Sequence, residues 1–339
     1  MSRSRGGDVP WITSLFHGPP VDSTTRFGSL VERRGQIMTD DTTDQQLTPL
    51  QRRLIDAAAD IIETQADSPE FLHSVLCQVG LPRTQTDARS FQRSSGTSAI
   101  EIAAGQLYRR GKFVPAPMPY GAKPRLVLMH LCAEAVRTRS PEIQVGRSVR
   151  EFLGRLGLDN SGHEYARFRA QMEALAACRM TLGMQAGGKE ITVNTQPISR
   201  FEAWMQHDHR SLGLWPGLMV LSGEFYSTLL EHAVPLDPRA IAALQKSALA
   251  LDVYTWLAHR LCRVRKADGV KLSWGNLRQQ FGQEYACSKD FKKEFRAALL
   301  KVRTVYPHAR IDEEMGGIRL YSSPAPVPKS QVVVQLPGA

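Results

Sequence analysis

Ser288-Lys-Asp-Phe-Lys-Lys-Glu-Phe-Arg-Ala-Ala-Leu-Leu-Lys-Val-Arg303 has two unlike faces when wound as a helix. Phe291, Phe295, Ala298, Leu299 and Val302 fall at the three- and four-residue spacing of an apolar stripe. Lys289, Lys292, Lys293 and Arg296 use the same spacing on the opposite side. A helix that buries an aromatic side and turns a row of cations outward suits a groove lined by phosphates. A lone helix with a solvated charged face has the same pattern, so the flanking sequence decides between them.

Upstream, Ser273-Trp-Gly-Asn-Leu-Arg-Gln-Gln-Phe281 is a second helix, with Ser273 as N-cap and Gly282 past its end. Val270-Lys-Leu272 before it is short and strand-like. Asp252 to Val264 is a helix with Val253, Trp256, Leu257 and Leu261 on one side. Downstream, Ala309 to Tyr321 predicts two strands joined at Gly316-Gly317. Helix, short strand, helix, helix, two-stranded wing is the order of a winged helix, a helix-turn-helix variant whose third helix enters the major groove.

The charge follows the same segment. The chain of 339 residues carries a net charge of +10, which favours a polyanionic partner. From Ala250 to Ser323 there are 14 Lys and Arg against 8 Asp and Glu, a net of +6. Under a quarter of the chain thus holds over half of the excess. With 42% hydrophobic and 22% charged residues, the composition is that of a soluble globular protein. No uncharged apolar run could span a bilayer, and Asp8, Asp22 and Arg26 break up any signal-peptide core. The expected location is the cytoplasm, with no membrane partner. Cys77, Cys132, Cys178, Cys262 and Cys287 are far apart and lack metal-ligand spacing, so they are expected to be reduced thiols, mostly in the core.

The winged-helix order also occurs earlier. Pro124 to Thr138 is a helix, Glu142 to Val145 a short strand, and Ser148-Val-Arg-Glu151 a capping box. His163 to Met180 is the third helix, with Phe168, Met172, Leu175 and Arg179 at helical spacing. Thr181 to Gln185 and Ile191 to Asn194 form a wing around Gly187-Gly188. Short strand to Gly-Gly tip is nearly the same length in both copies, and matched spacing is more specific than either copy alone. The expected fold is α+β and predominantly helical, with two tandem winged-helix domains. The first spans 98–200 and the second 247–323, and a strand and helices over 201–246 join them. A helical accessory segment covers 47–97, where Thr48-Pro49 starts one helix and Ser68-Pro69 another. Residues 1–46 and 324–339 are expected to be flexible tails. Met38 is a second plausible start, and Ile12 to Phe16 bears only a vague likeness to sliding-clamp peptides.

Several motifs in fixed order give the chain a family likeness. Met118-Pro-Tyr-Gly-Ala-Lys-Pro-Arg-Leu-Val-Leu, Glu134 to Thr138, Ile143-Gln-Val-Gly146 and Phe152-Leu-Gly-Arg-Leu-Gly157 resemble the plasmid RepA-type replication initiators. Leu76-Cys-Gln-Val-Gly-Leu-Pro-Arg83 and Ile100 to Gly105 add to the resemblance, which covers roughly 50–325. It implies an initiator that binds direct repeats in double-stranded plasmid origin DNA and helps open the duplex. It also implies recruitment of a host replication initiator and the replicative helicase, and a monomer–homodimer equilibrium in which dimers repress the protein's own gene. The second module would make the main base contacts.

On that reading Ser288, Lys289, Lys292, Lys293 and Arg296 line the groove, with Arg296 as the bidentate guanine reader and Ser288 holding a phosphate at the helix start. Arg278, Lys271, Arg263, Arg265 and Lys266 would clamp the backbone. Arg310 and Arg319 would act from the second wing. His163, Arg167 and Gln171 would face outward from the first module's third helix. Asp312-Glu-Glu314 near the wing tip would be repelled by phosphate, which suggests a wing pointing away from DNA or toward a protein.

Bond-making chemistry finds no home in the sequence. His207-Asp-His209 has an acid where a rolling-circle nickase has a hydrophobic residue, and Tyr226 is no sign of its nucleophile. Gly187-Gly-Lys189 lacks the spacing of a P-loop. The expectation is a non-enzyme without catalytic residues, cofactor or metal. A winged-helix repressor that never initiates replication is the alternative, and a metal-dependent nickase a more distant one.

Overall fold

The structure, a computed structural model, describes residues 47–109, 111–146, 148–158, 162–201 and 217–328. The Ile12–Phe16 and His207–His209 motifs and most of both tails lie outside the described residues.

Helix α1 (Pro49–Glu63) begins as the sequence indicates. Thr48 accepts from the Gln51 amide, and the Gln51 side chain accepts from the Thr48 amide. The helix expected from Ser68 does not form at once. Glu70–His73 is a strand, β1, and only Ser74–Val79 is helical, α2. The reason is tertiary: β1 pairs antiparallel with β11 (Ala233–Leu236), far along the chain, burying Phe71 and Leu72. Then follow β2 (Ser90–Ser95), β3 (Ser98–Ala103), β4 (Gln106–Arg109), β5 (Lys112–Pro115) and α3 (Ala122–Thr138). The first copy continues with β6 (Glu142–Gly146), α4 (Val149–Arg155), α5 (Gly162–Ala177), β7 (Arg179–Ala186) and β8 (Lys189–Thr195). Its element order is as expected but its pairing is not. β6 does not meet the β7–β8 hairpin. It pairs with β10 (Gly217–Leu221), which also pairs with β9 (Ile198–Phe201), while β7 and β8 join β2 and β3 in a four-stranded sheet.

The connection runs through α6 (Gly223–His232), β11 and α7 (Pro238–Leu244). The second copy has α8 (Ala248–Arg260), a short 3-10 turn, β12 (Val270–Ser273), α9 (Trp274–Phe281), α10 (Ser288–Val305), β13 (Ile311–Glu314) and β14 (Gly317–Leu320). Here β14 lies between β12 and β13, so the short strand closes on the hairpin. Gly317 is needed for that closure, because a Cβ would stand 1.9 Å from the Leu272 carbonyl oxygen. The described fold is therefore mixed, with helices interleaved among five small antiparallel sheets, and predominantly helical only in a loose sense. Residues 323–327, at the start of the expected tail, are packed: Val327 is buried and the Tyr306 hydroxyl donates to the Pro324 carbonyl at 2.5 Å. Among the described residues no helix is long and apolar enough to cross a membrane.

Helix α8 is the hub. It is buried from Leu249 to Ala258 and packs against α2, α3 and α10. Its one buried carboxylate, Asp252, faces two arginines from distant parts of the chain, with a third, Arg93, linked through Glu284. Arg125 of α3 grips it through two bonds, Nε to Oδ1 at 2.6 Å and Nη2 to Oδ2 at 2.9 Å. Arg83 reaches Oδ2 at 3.1 Å and Glu284 at 2.6 Å, and Arg93 reaches Glu284 at 3.3 Å. Arg93 and Arg125 also donate to the carbonyls of Val79, Leu81 and Pro82, while Arg83 Nε has no partner among the described residues. Burial alone would raise the Asp252 pKa, but Arg125, then Arg83 and Arg93, outweigh it and hold the carboxyl below its ordinary value. Burial and the neighbouring Arg83 push Arg93 down to about 10. Gly80, at φ +60°, lets the chain pass this close, since a Cβ there would lie 2.8 Å from Asp252 Oδ1.

A cavity of about 280 Å³ lies between α3, α4 and α7. Glu70 Oε2, His130 Nε2 and Gln245 Oε1 line it without a protein partner. Burial raises Glu70 to a pKa of about 7, against the pull of Arg137. The native state thus prefers the protonated acid. That contribution is whole below the unfolded value near 4.5 and is lost as pH rises through about 7. Glu70→Gln is expected to remove the loss. Thermal unfolding should show the variant gaining on the wild type by about 1–3 kcal/mol between acidic and mildly alkaline buffer. Parallel pH profiles for the two proteins would contradict this cause.

Candidate nucleic-acid interface

Helix α10 buries Phe291, Phe295, Ala298, Leu299, Val302 and Val305 against α8 and α9. Phe295 forms an aromatic cluster with α9, meeting Trp274 edge-on at 6.1 Å and Phe281 at a tilt at 5.5 Å between centroids. Orienting the helix is the work of this buried side; its outer side is then fixed by the helical repeat. Lys289, Lys293 and Arg296 lie exposed at i, i+4 and i+7. Lys289 and Lys293 carry no ion pair among the described residues. Lys292 is half-buried and leans over Trp274, 5.8 Å from its ring centroid. Arg296 covers the same ring at 4.9 Å.

Arg296 is also held from the other side. Its Nε donates to Glu313 Oε1 at 2.7 Å, and its Nη2 to the same oxygen. Glu314 accepts from Arg319 and lies 3.5 Å from Lys271 Nζ. Those partners, Arg319 first, hold the Glu314 carboxyl below its ordinary value. These acids predict a wing that points away from DNA or toward a protein; its carboxylates Glu313 and Glu314 have partners within the module. Two of its three carboxylates fold back onto the module's own positive groups. Arg310 stacks on Tyr321 at 5.5 Å.

Other expected contacts are engaged elsewhere. Arg278 donates to the Ala286 carbonyl at 3.3 Å and so braces the loop entering α10. Arg263 donates to the His259 carbonyl at the end of α8. Neither guanidinium projects freely as a backbone clamp. Arg265 and Lys266 are exposed on the loop before β12. Ser288 is the first residue of α10 rather than its cap. Cys287 holds the cap position: its sulfur accepts from the Asp290 amide at 3.4 Å. Asp290 places a carboxylate in the first turn, which opposes a second anion and corrects the phosphate seat proposed at Ser288. Cys287 is exposed, unlike the buried Cys77, Cys132 and Cys178.

In the first copy, Arg167 is exposed and 3.5 Å from Glu164. The His163 side chain lies outside the described residues. Gln171 is buried, contrary to the outward placement, and its Oε1 accepts from the Tyr120 amide at 2.7 Å. The helical spacing of Phe168, Gln171, Met172 and Leu175 already puts it on the buried stripe. Among the described residues no cluster of His, Cys, Asp and Glu could hold a metal.

Residues 118–276 match the family described as plasmid encoded RepA protein. The matched region takes in α3 to the start of α9 and ends before α10. A crystal structure of RctB domains 2–3 is similar at 14% identity, with a TM-score of 0.45, covering 72% of this chain and 94% of that one. A second structure of the same two domains, a selenomethionine derivative, gives 13% identity and a TM-score of 0.43 at the same coverage. No curated protein matches.

Proposed function

We propose that this chain, whose residues 118–276 match the family described as plasmid encoded RepA protein, is a replication initiator that binds directly repeated origin DNA. The second copy, 248–320, acts as a winged helix with α10 in the major groove. Opening of the adjacent duplex, recruitment of a host initiator and helicase, and a monomer–homodimer equilibrium complete the reading. No bond-making step is assigned to it. The observation that carries it is the exposed row Lys289, Lys293 and Arg296 on a helix whose other side is locked into the core. A repressor would use the same surface, but on an inverted rather than a direct repeat.

The test is titration of the full chain with two duplexes, one bearing direct repeats of about twenty base pairs and one scrambled. Wild type is expected to prefer the repeats, with affinity falling steeply in salt. Equal affinity for both duplexes would overturn the reading. Glu313→Gln refines it. The substitution removes the carboxylate that competes for Arg296, so affinity for both duplexes should rise, by roughly 3–10-fold at low salt. Because Arg296 is read as the guanine contact, the repeat-bearing duplex should gain the more of the two.

A further inference from the structure

The β4–β5 hairpin is a separate two-stranded sheet on which Tyr108 and Phe113 are cross-strand partners. Their ring centroids are 5.3 Å apart, and the residues are 59% and 70% exposed. Two large aromatic rings on one exposed face are unusual unless something covers them. The opposite face, with Leu107 and Val114, is half-buried, and β4 packs on α5. The base of the hairpin is fixed: Ala116 donates to the Gly105 carbonyl at 3.0 Å, and a Cβ on Gly105 would strike the Ala177 carbonyl.

The charge around the rings selects the occupant. Along the hairpin, from Gln106 to Pro115, the sequence has no Asp or Glu and carries Arg109, Arg110 and Lys112; farther on, Lys123 pairs with Glu164 and Arg125 lies in the Asp252 cluster. Lys112 is exposed beside Phe113. An apolar protein groove would need no such cations. Aromatic faces among cations are what unstacked bases and their phosphates require, because every base has a π-face and every linkage a negative charge. Within a duplex the base faces are hidden in the stack, so rings on an exposed ribbon can stack only on separated strands.

We infer that Tyr108, Phe113 and Lys112 form a second nucleic-acid site, distinct from α10, that stacks bases of single-stranded DNA. This rests on the DNA-binding reading above and assigns the opened strand a place on the protein. Holding one separated strand biases the melting equilibrium of the adjacent duplex by mass action.

The experiment uses the full chain and a fluorescein-labelled mixed single strand of about 30 nucleotides in about 0.1 M salt. Anisotropy is expected to show binding, weakened about tenfold or more by Tyr108→Ala/Phe113→Ala. Affinity for the repeat-bearing duplex should stay within about twofold. Tyr108→Leu/Phe113→Leu keeps an apolar surface without a π-face and should lose the single strand equally. Lys112→Gln should lower the log–log salt slope for the single strand by about 0.7. The site is wrong if the wild type ignores single strands or the alanine pair binds them undiminished. Retention by the leucine pair would also overturn it, since an apolar partner surface is then the better description. Failure of the α10 reading would appear instead as undiminished duplex binding by variants of α10, with single-strand binding unaffected.

Discussion

Asp252→Ala is expected to destabilise the protein by about 3–5 kcal/mol, the largest effect of any single change proposed. Asp252 faces Arg125 and Arg83 inside the core, with Arg93 one step away through Glu284. The cluster holds three guanidinium groups and two carboxylates. Removing one carboxylate leaves Arg125 buried with only carbonyl acceptors, from Leu81, Pro82 and Gly121. The cost is that of an uncompensated buried charge, which exceeds the net worth of the pair itself. Against a typical total stability of about 5–15 kcal/mol this is a large share. Asp252→Asn keeps the shape and drops the charge, so it should recover only part of the loss. Urea unfolding monitored through tryptophan fluorescence reads the effect as a lower midpoint at constant slope. A loss below about 1 kcal/mol would mean that the cluster sets geometry without contributing stability.

Lys289→Glu/Lys293→Glu is expected to weaken binding to repeat-bearing duplex on the order of a hundredfold, and to reduce the salt slope by about two. These two lysines are exposed on α10, so the fold should tolerate the reversal. Lys292 is a poorer probe, because it covers Trp274 and its loss would also disturb the helix seat. Circular dichroism should be unchanged, and filter binding or anisotropy should carry the whole effect. Undiminished binding would remove α10 from the groove.

The residues behind these two predictions were not equally visible in the sequence. The apolar stripe of α10, its cationic side and the Gly316-Gly317 turn are local patterns with a period of 3.6 or a turn signature, and the structure has each of them. Gln171 is polar, yet its spacing puts it on the buried stripe of α5, and the Tyr120 amide satisfies its carbonyl there. The ion cluster was invisible as a cluster. Arg125 and Asp252 are 127 residues apart, and Arg83 and Asp252 169. Two of the motifs that carry the family likeness, Gly80-Leu-Pro-Arg83 and Lys-Pro-Arg125, build this node rather than the cationic face. The neutralisation of Arg296 by Glu313 was equally hidden, since it depends on how a hairpin folds over the helix before it.

By itself the sequence determined the identity and order of the elements around α10, the sign of its outer face and the family likeness. Helical period, capping and turn chemistry act within a few residues, so a single chain displays them directly. Strand partners, the burial of Gln171, the Asp252 node and the pairing of the wing carboxylates were decided only by the tertiary structure. Each depends on which distant groups are brought within a few ångströms, and a low-dielectric core then gives those meetings energies that no local pattern records.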